Sequence, residues 1–125
     1  MKFQPDTADG VNVVTRLEDT RLWVGNTPFE HSVLVPWKGS VERWDASAPT
    51  ELTPRHFERL LLLKPELVIF GSGDKLRFVS PGLYRALIEA RIGIETMDTA
   101  AACRTYNVLA SEGRSVVAAL LLGPE

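Results

Sequence analysis

In Lys64-Pro65-Glu66-Leu67-Val68-Ile69-Phe70-Gly71-Ser72-Gly73, four large apolar residues stand together between a proline and a pair of glycines. An amphipathic helix would interrupt such a run with polar positions, and a half-exposed strand would alternate. A short continuous run bounded by breakers is the pattern of a strand covered on both faces. Residues 67–71 are therefore expected to form a central, buried strand. Helices must cover it, which makes the fold α/β.

The flanking segments supply those helices. Thr53-Pro54 pairs an N-cap with proline at the first helical position, where a missing N–H costs nothing. Phe57, Leu60, Leu61 and Lys64 recur at helical spacing until Lys64-Pro65 stops them. Ser80-Pro81 repeats the signal and opens a helix over residues 81–91 through Leu83, Leu87 and Ile88. Residues 94–97 read as a short strand. Asp98 then caps a helix whose face is Thr99, Ala102, Cys103, Tyr106, Leu109 and Ala110, with Gly113 at its C′ position. Residues 115–122 close the chain as a strand. Helix and strand thus alternate three times from Thr53 onward.

The front third reads differently. Asp9-Gly10 marks a turn, residues 11–17 a strand, Glu18-Asp19 a turn, and residues 20–24 a second strand closed by Gly25-Asn26 and Pro28. Residues 31–37 give a third, with Pro36 placing it at an edge or ending it, and residues 41–44 a short fourth. The expected fold is a single α/β domain over residues 1–125. Its sheet is expected to be largely parallel or mixed with helices packed on it, the β-rich front forming an added layer or edge.

Composition narrows the function classes. Hydrophobic residues make up 45% and charged residues 24% of 125, ordinary values for a domain with its own core. Fourteen basic and sixteen acidic residues are scattered, so no basic stripe suits a nucleic-acid backbone. The longest apolar runs fall far short of the ~20 residues that span a bilayer, so no transmembrane segment is expected. A single cysteine and an amino terminus without a signal-like apolar region point to the cytoplasm.

Ligands of open α/β sheets collect beyond the carboxyl ends of strands. Two such ends are readable. Gly71-Ser72-Gly73-Asp74-Lys75 follows the buried strand, and its glycines would let backbone N–H groups face an anion. The simpler reading is a tight turn, because position 76 is Leu where a dinucleotide fingerprint needs its third glycine. Glu95-Thr96-Met97-Asp98-Thr99 is the second end. Asp98 is most simply an N-cap. Glu95, in a short strand between two helices, is expected to be partly buried and ion-paired, with Arg77 or Arg104 as partner. The two ends are expected to adjoin as a shallow polar depression, a weak anion or polar-peptide site in which Lys75, Arg77 or Arg104 would have to offset Asp74, Glu95 and Asp98 to receive an anion.

No cofactor motif and no metal-ligand spacing is present; His31 and His56 stand apart. Cys103 reads as a small core residue, and Tyr106 and Asn107 as a helix-to-sheet contact. Trp23, Trp37 and Trp44 suit either a core or a binding surface.

Arg77-Phe78-Val79-Ser80-Pro81, following the Gly-Ser-Gly turn, and Gly93-Ile94-Glu95-Thr96-Met97-Asp98-Thr99-Ala100-Ala101-Ala102-Cys103-Arg104-Thr105-Tyr106-Asn107 are similar to a known family. This is a small domain of unknown function whose members include the mitochondrial complex I assembly factor 3 and an adipogenesis-associated cytosolic protein. Phe29, Ser32 and Trp37-Lys38 extend the similarity over most of the chain. The resemblance implies a three-layer domain with a mixed central sheet, no established enzymatic activity, and a role in assembly through protein contacts. The competing expectation is a small-ligand or enzymatic domain using a pocket at residues 71–75 and 95–99.

Overall fold

Residues 67–70 owe their burial to alternation across a covered sheet. Leu67 and Ile69 face one hydrophobic cluster, Val68 and Phe70 another, and all four are buried. The computed structural model describes residues 1–3 and 10–123; the Asp9 half of the Asp9-Gly10 turn signal lies outside them. The strand itself, β6 (Leu67–Gly71), is the middle of three parallel strands. It pairs with β7 (Gly93–Met97) on one side and β8 (Val116–Leu120) on the other. The five-stranded sheet is completed by β4 (Val33–Val35), antiparallel to β8, and by β5 (Glu42–Arg43) beyond it. The sheet is therefore mixed.

One face carries α1 (Pro54–Leu61) and α2 (Arg85–Glu89), which bury Phe57, Leu60 and Leu87 against it. The other carries α3 (Thr99–Ser111), through Ala102, Cys103, Tyr106 and Ala110. Beside α3 lies a small antiparallel sheet of β1 (Val14–Glu18), β2 (Arg21–Val24) and β3 (Thr27–Phe29), which adds Val14, Leu22 and Val24 to the same cluster. These are the three layers.

Helix boundaries follow local chemistry. His56 Nδ1 accepts the Thr53 N–H at 3.0 Å, closing a capping box on α1. Asp98 Oδ1 accepts from the Ala101 N–H at 2.8 Å at the start of α3. Gly113 adopts φ +83° just past its end, the left-handed C′ conformation. The helix expected over residues 81–91 starts instead as a 3-10 turn, Pro81–Tyr84, before α2. Gly82 weakens helix formation there.

The front third departs from expectation in particulars. It divides: β1–β3 form the added layer as a sheet of their own, while β4 and β5 make an edge of the main sheet. Residues 11–13 do not ladder with β2; Val11 makes an isolated bridge to Lys38. Asn12 donates from its side chain to the carbonyls of Pro36 and Gly39, so this segment is pinned to the loop after β4. Pro28 lies within β3, an outer strand where proline's missing donor costs little, not at a strand's end. Pro36 follows β4, which is an interior strand, so the proline ends it without marking an edge.

Ile69 is fully buried between β7 and β8 and faces α3. Ile69→Ala is expected to cost about 2–5 kcal/mol by lost transfer energy and an unfilled cavity. Urea unfolding with an unchanged m-value checks this, and a loss below about 1 kcal/mol would contradict a close-packed centre.

Candidate functional site

Because β6, β7 and β8 are parallel, their carboxyl ends lie at one end of the sheet. The segments 71–74 and 95–99 meet there. Ser72 N–H donates to the Met97 carbonyl and Thr99 N–H to the Gly73 carbonyl, each at 2.8 Å. Gly73 N–H donates to Thr99 Oγ1 at 2.9 Å, and that hydroxyl donates in turn to the Leu121 carbonyl at 2.8 Å. One side chain thus ties the exits of β6 and β8 to the start of α3.

Ser72 behaves similarly. Its Oγ accepts from the Arg77 N–H at 2.9 Å and lies 2.7 Å from the Lys75 carbonyl, folding the turn onto itself. On the far side of β8, Ser32 Oγ accepts the Leu122 N–H at 2.8 Å. Ser32, Ser72 and Thr99 are the buried polar residues among those described, and all three serve backbone groups where the ladders stop. The Ser72 and Gly73 N–H groups expected to face an anion are therefore engaged inside the fold.

Gly71 has a packing role. A Cβ there would stand 2.9 Å from Thr99 Oγ1 and 3.0 Å from Thr99 Cα and Leu120 Cδ2. Glycine at this position is what lets α3 start directly against β6.

A cleft of about 860 Å³ opens between the β1–β2 turn and these strand ends. Gly73, Asp74, Asp98 and Thr99 line it, together with Leu17, Leu121 and Leu122. Glu18 and Asp19 bring two more carboxylates. Gly71 and Ser72 lie behind that lining, while Lys75, Arg77, Glu95 and Arg104 are exposed outside it. Arg104 reaches Met1 Sδ at 3.6 Å. The charge of the cleft is negative, the opposite of what an anion would need.

Glu95 corrects the sequence expectation most clearly. It is exposed, not partly buried, because β7 is the edge of the main sheet. The burial that would call for Arg77 or Arg104 as a partner does not occur. Asp98 is the N-cap it was expected to be. Cys103 is buried in the cluster under α3, and desolvation pushes its thiol up to about 12.

The remaining candidates sort by position. Trp44 is core: its ring meets Phe57 and Phe70 edge-on, and Nε1 donates to the His56 carbonyl at 3.1 Å. Trp37 anchors to α3 by donating to the Ala110 carbonyl. Trp23 lies half-buried under the guanidinium groups of Arg16 and Arg21. Asn107 does more than the sequence suggested. Its side-chain amide accepts the Val14 N–H at 3.0 Å and donates to the Val14 carbonyl at 2.8 Å, substituting for a neighbouring strand. Tyr106 Oη lies 2.8 Å from the Asn12 carbonyl and 3.0 Å from that of Pro36. The signal missed by sequence reading is the exposed pair Leu76 and Phe78, 52% and 76% accessible, just past the Gly-Ser-Gly turn.

Comparisons with known proteins agree with this architecture. Residues 14–121 match a family described as protein of unknown function (DUF498/DUF598). The NADH dehydrogenase [ubiquinone] 1 alpha subcomplex assembly factor 3 of Bos taurus is 35% identical over 102 residues, 80% of this chain and 54% of that protein. The chain thus spans about half the length of the curated relatives it matches. A crystal structure of a Bordetella parapertussis protein is 35% identical, with a TM-score of 0.86, over 94% of this chain and 100% of the other. A solution structure from Bordetella pertussis, described as an Mth938-like domain, is 30% identical with a TM-score of 0.78, over 97% and 92% respectively.

Two outcomes test the site as described. Thr99→Val keeps the shape but leaves the Gly73 N–H and Leu121 carbonyl unpaired, and should cost about 1–3 kcal/mol, while Thr99→Ser should cost much less. Equal stability of Thr99→Val and wild type in chemical denaturation would make the hydroxyl bridge incidental. Cys103, in turn, should react with a thiol reagent at neutral pH on the order of a hundredfold slower in the native protein than in denaturant. Fast native labelling without unfolding would show that the thiol is accessible.

Proposed function

The chain belongs to the DUF498/DUF598 family, and from that membership we propose that it is a non-catalytic protein-interaction domain of the assembly-factor kind; its single cysteine is the ground for placing it in the cytoplasm. The observation that carries this reading is the 35% identity to a complex I assembly factor over 80% of the chain. The structure supports it in two ways. Buried hydroxyls and backbone donors at the strand ends are engaged in holding the fold together. Large apolar side chains, Leu76 and Phe78, project from the adjoining loop, where they are available to another protein.

No helix among the described residues is long and apolar enough to cross a membrane. A second reading, a small-ligand domain, has the cleft in its favour. Its size is within the usual range for ligand sites, and its carboxylates select a cationic ligand.

In cells lacking the gene, assembled NADH dehydrogenase is expected to fall on native gels while subassemblies accumulate. Normal assembly in the deletion strain would end the assembly reading. A Leu76→Asp, Phe78→Asp double variant of unchanged thermal stability is expected to fail to restore assembly. Complete rescue by it would move the contact elsewhere on the surface.

A further inference from the structure

The two edges of the main sheet are unlike. At one edge, β5 is only two residues long and Glu42 is held by Arg59 at 2.9 Å, so little ladder is on offer. At the other, β7 presents five residues, and among the described residues no strand lies beyond it. The Met97 carbonyl turns toward β6, since it accepts from the Ser72 N–H. Along a strand, backbone groups point alternately to either side, so Gly93, Glu95 and Met97 share that direction. Ile94 and Thr96 then turn their N–H and C=O groups outward, which makes β7 a template for another strand.

The geometry points to Glu95 as the residue that decides which strand can pair there. A second copy pairing antiparallel about the middle of β7 would exchange hydrogen bonds between Ile94 and Thr96 of the two chains. Glu95 would then face itself in a non-hydrogen-bonded pair, where Cα atoms approach to about 4.5 Å and side chains come closest. Both carboxylates would project on the same face, and like charges directly opposite are destabilising. Glu95 therefore rejects a second copy of this chain and favours an extended segment that presents Lys or Arg at the facing position. Its exposure in the centre of the strand, with no role in the core, is what such a device requires.

The test is a charge swap read by sedimentation. Wild type alone and Glu95→Lys alone should each keep the wild-type mass, because each opposes like charges. Their equimolar mixture should form a heteromeric species whose mass approaches twofold that of either alone, and high salt should dissociate it. Glu95→Val should self-associate in a concentration-dependent way at matched folding, checked by circular dichroism. If the mixture sediments as its components do, the proposal is overturned. Self-association of Glu95→Val without association of the mixture would overturn it too, since a nonspecific apolar contact would then explain the gain.

Discussion

Thr99 and Gly71 cannot be separated by so much as a methyl group. An added Cβ on Gly71 would press on both the hydroxyl and the Cα of Thr99, so the start of α3 lies directly on the last residue of β6. That contact fixes where the helix begins relative to the sheet. From this origin, α3 runs along one face and delivers Ala102, Cys103, Tyr106 and Ala110 to the cluster under it. The hydroxyl that crowds Gly71 also receives the Gly73 N–H and donates to Leu121, so packing and hydrogen bonding constrain the same atoms.

What α3 positions next is the small sheet. Three of its residues reach toward the front third: Tyr106 to the Asn12 and Pro36 carbonyls, Asn107 to both backbone groups of Val14, and Ala110 to the Trp37 indole. A small antiparallel sheet needs a buried hydrophobic face or a helix packed on it to be stable. Here it gains its buried face from the helix, with Val14, Leu22 and Val24 in the common cluster. The order of dependence therefore runs from β6 to α3 to β1–β3.

The sequence disclosed those parts of this arrangement that depend on local chemistry. Four apolar residues between breakers suffice for β6, an aspartate before a helical face for the α3 cap, and a glycine after it for the C′ position. The allocation of front strands to two different sheets is a matter of partners distant in sequence, and no local pattern encodes it. The same limit explains Glu95. Whether a short strand is central or at the edge depends on strand order, and only the edge position of β7 leaves its carboxylate in solvent. Asn107 was legible as a contact but not as a strand substitute, because its partner Val14 lies 93 residues away.

Open α/β sheets bind ligands beyond their strand ends because backbone groups there run out of partners. In this chain Ser32, Ser72 and Thr99 supply those partners from within. The two N–H groups of the Gly-Ser-Gly turn that a phosphate would need go to Met97 and Thr99. The adjacent cleft exists because the β1–β2 turn stands across from the strand ends, and the turn brings Glu18 and Asp19 with it. Those carboxylates join Asp74 and Asp98, so the electrostatics of the cleft oppose an anion even where space permits one. The polar groups that in a nucleotide-binding sheet would hold a ligand here hold β6, β8 and α3 together. What projects beyond that knot is a loop carrying the exposed Leu76 and Phe78, and an edge strand with one charge at its centre.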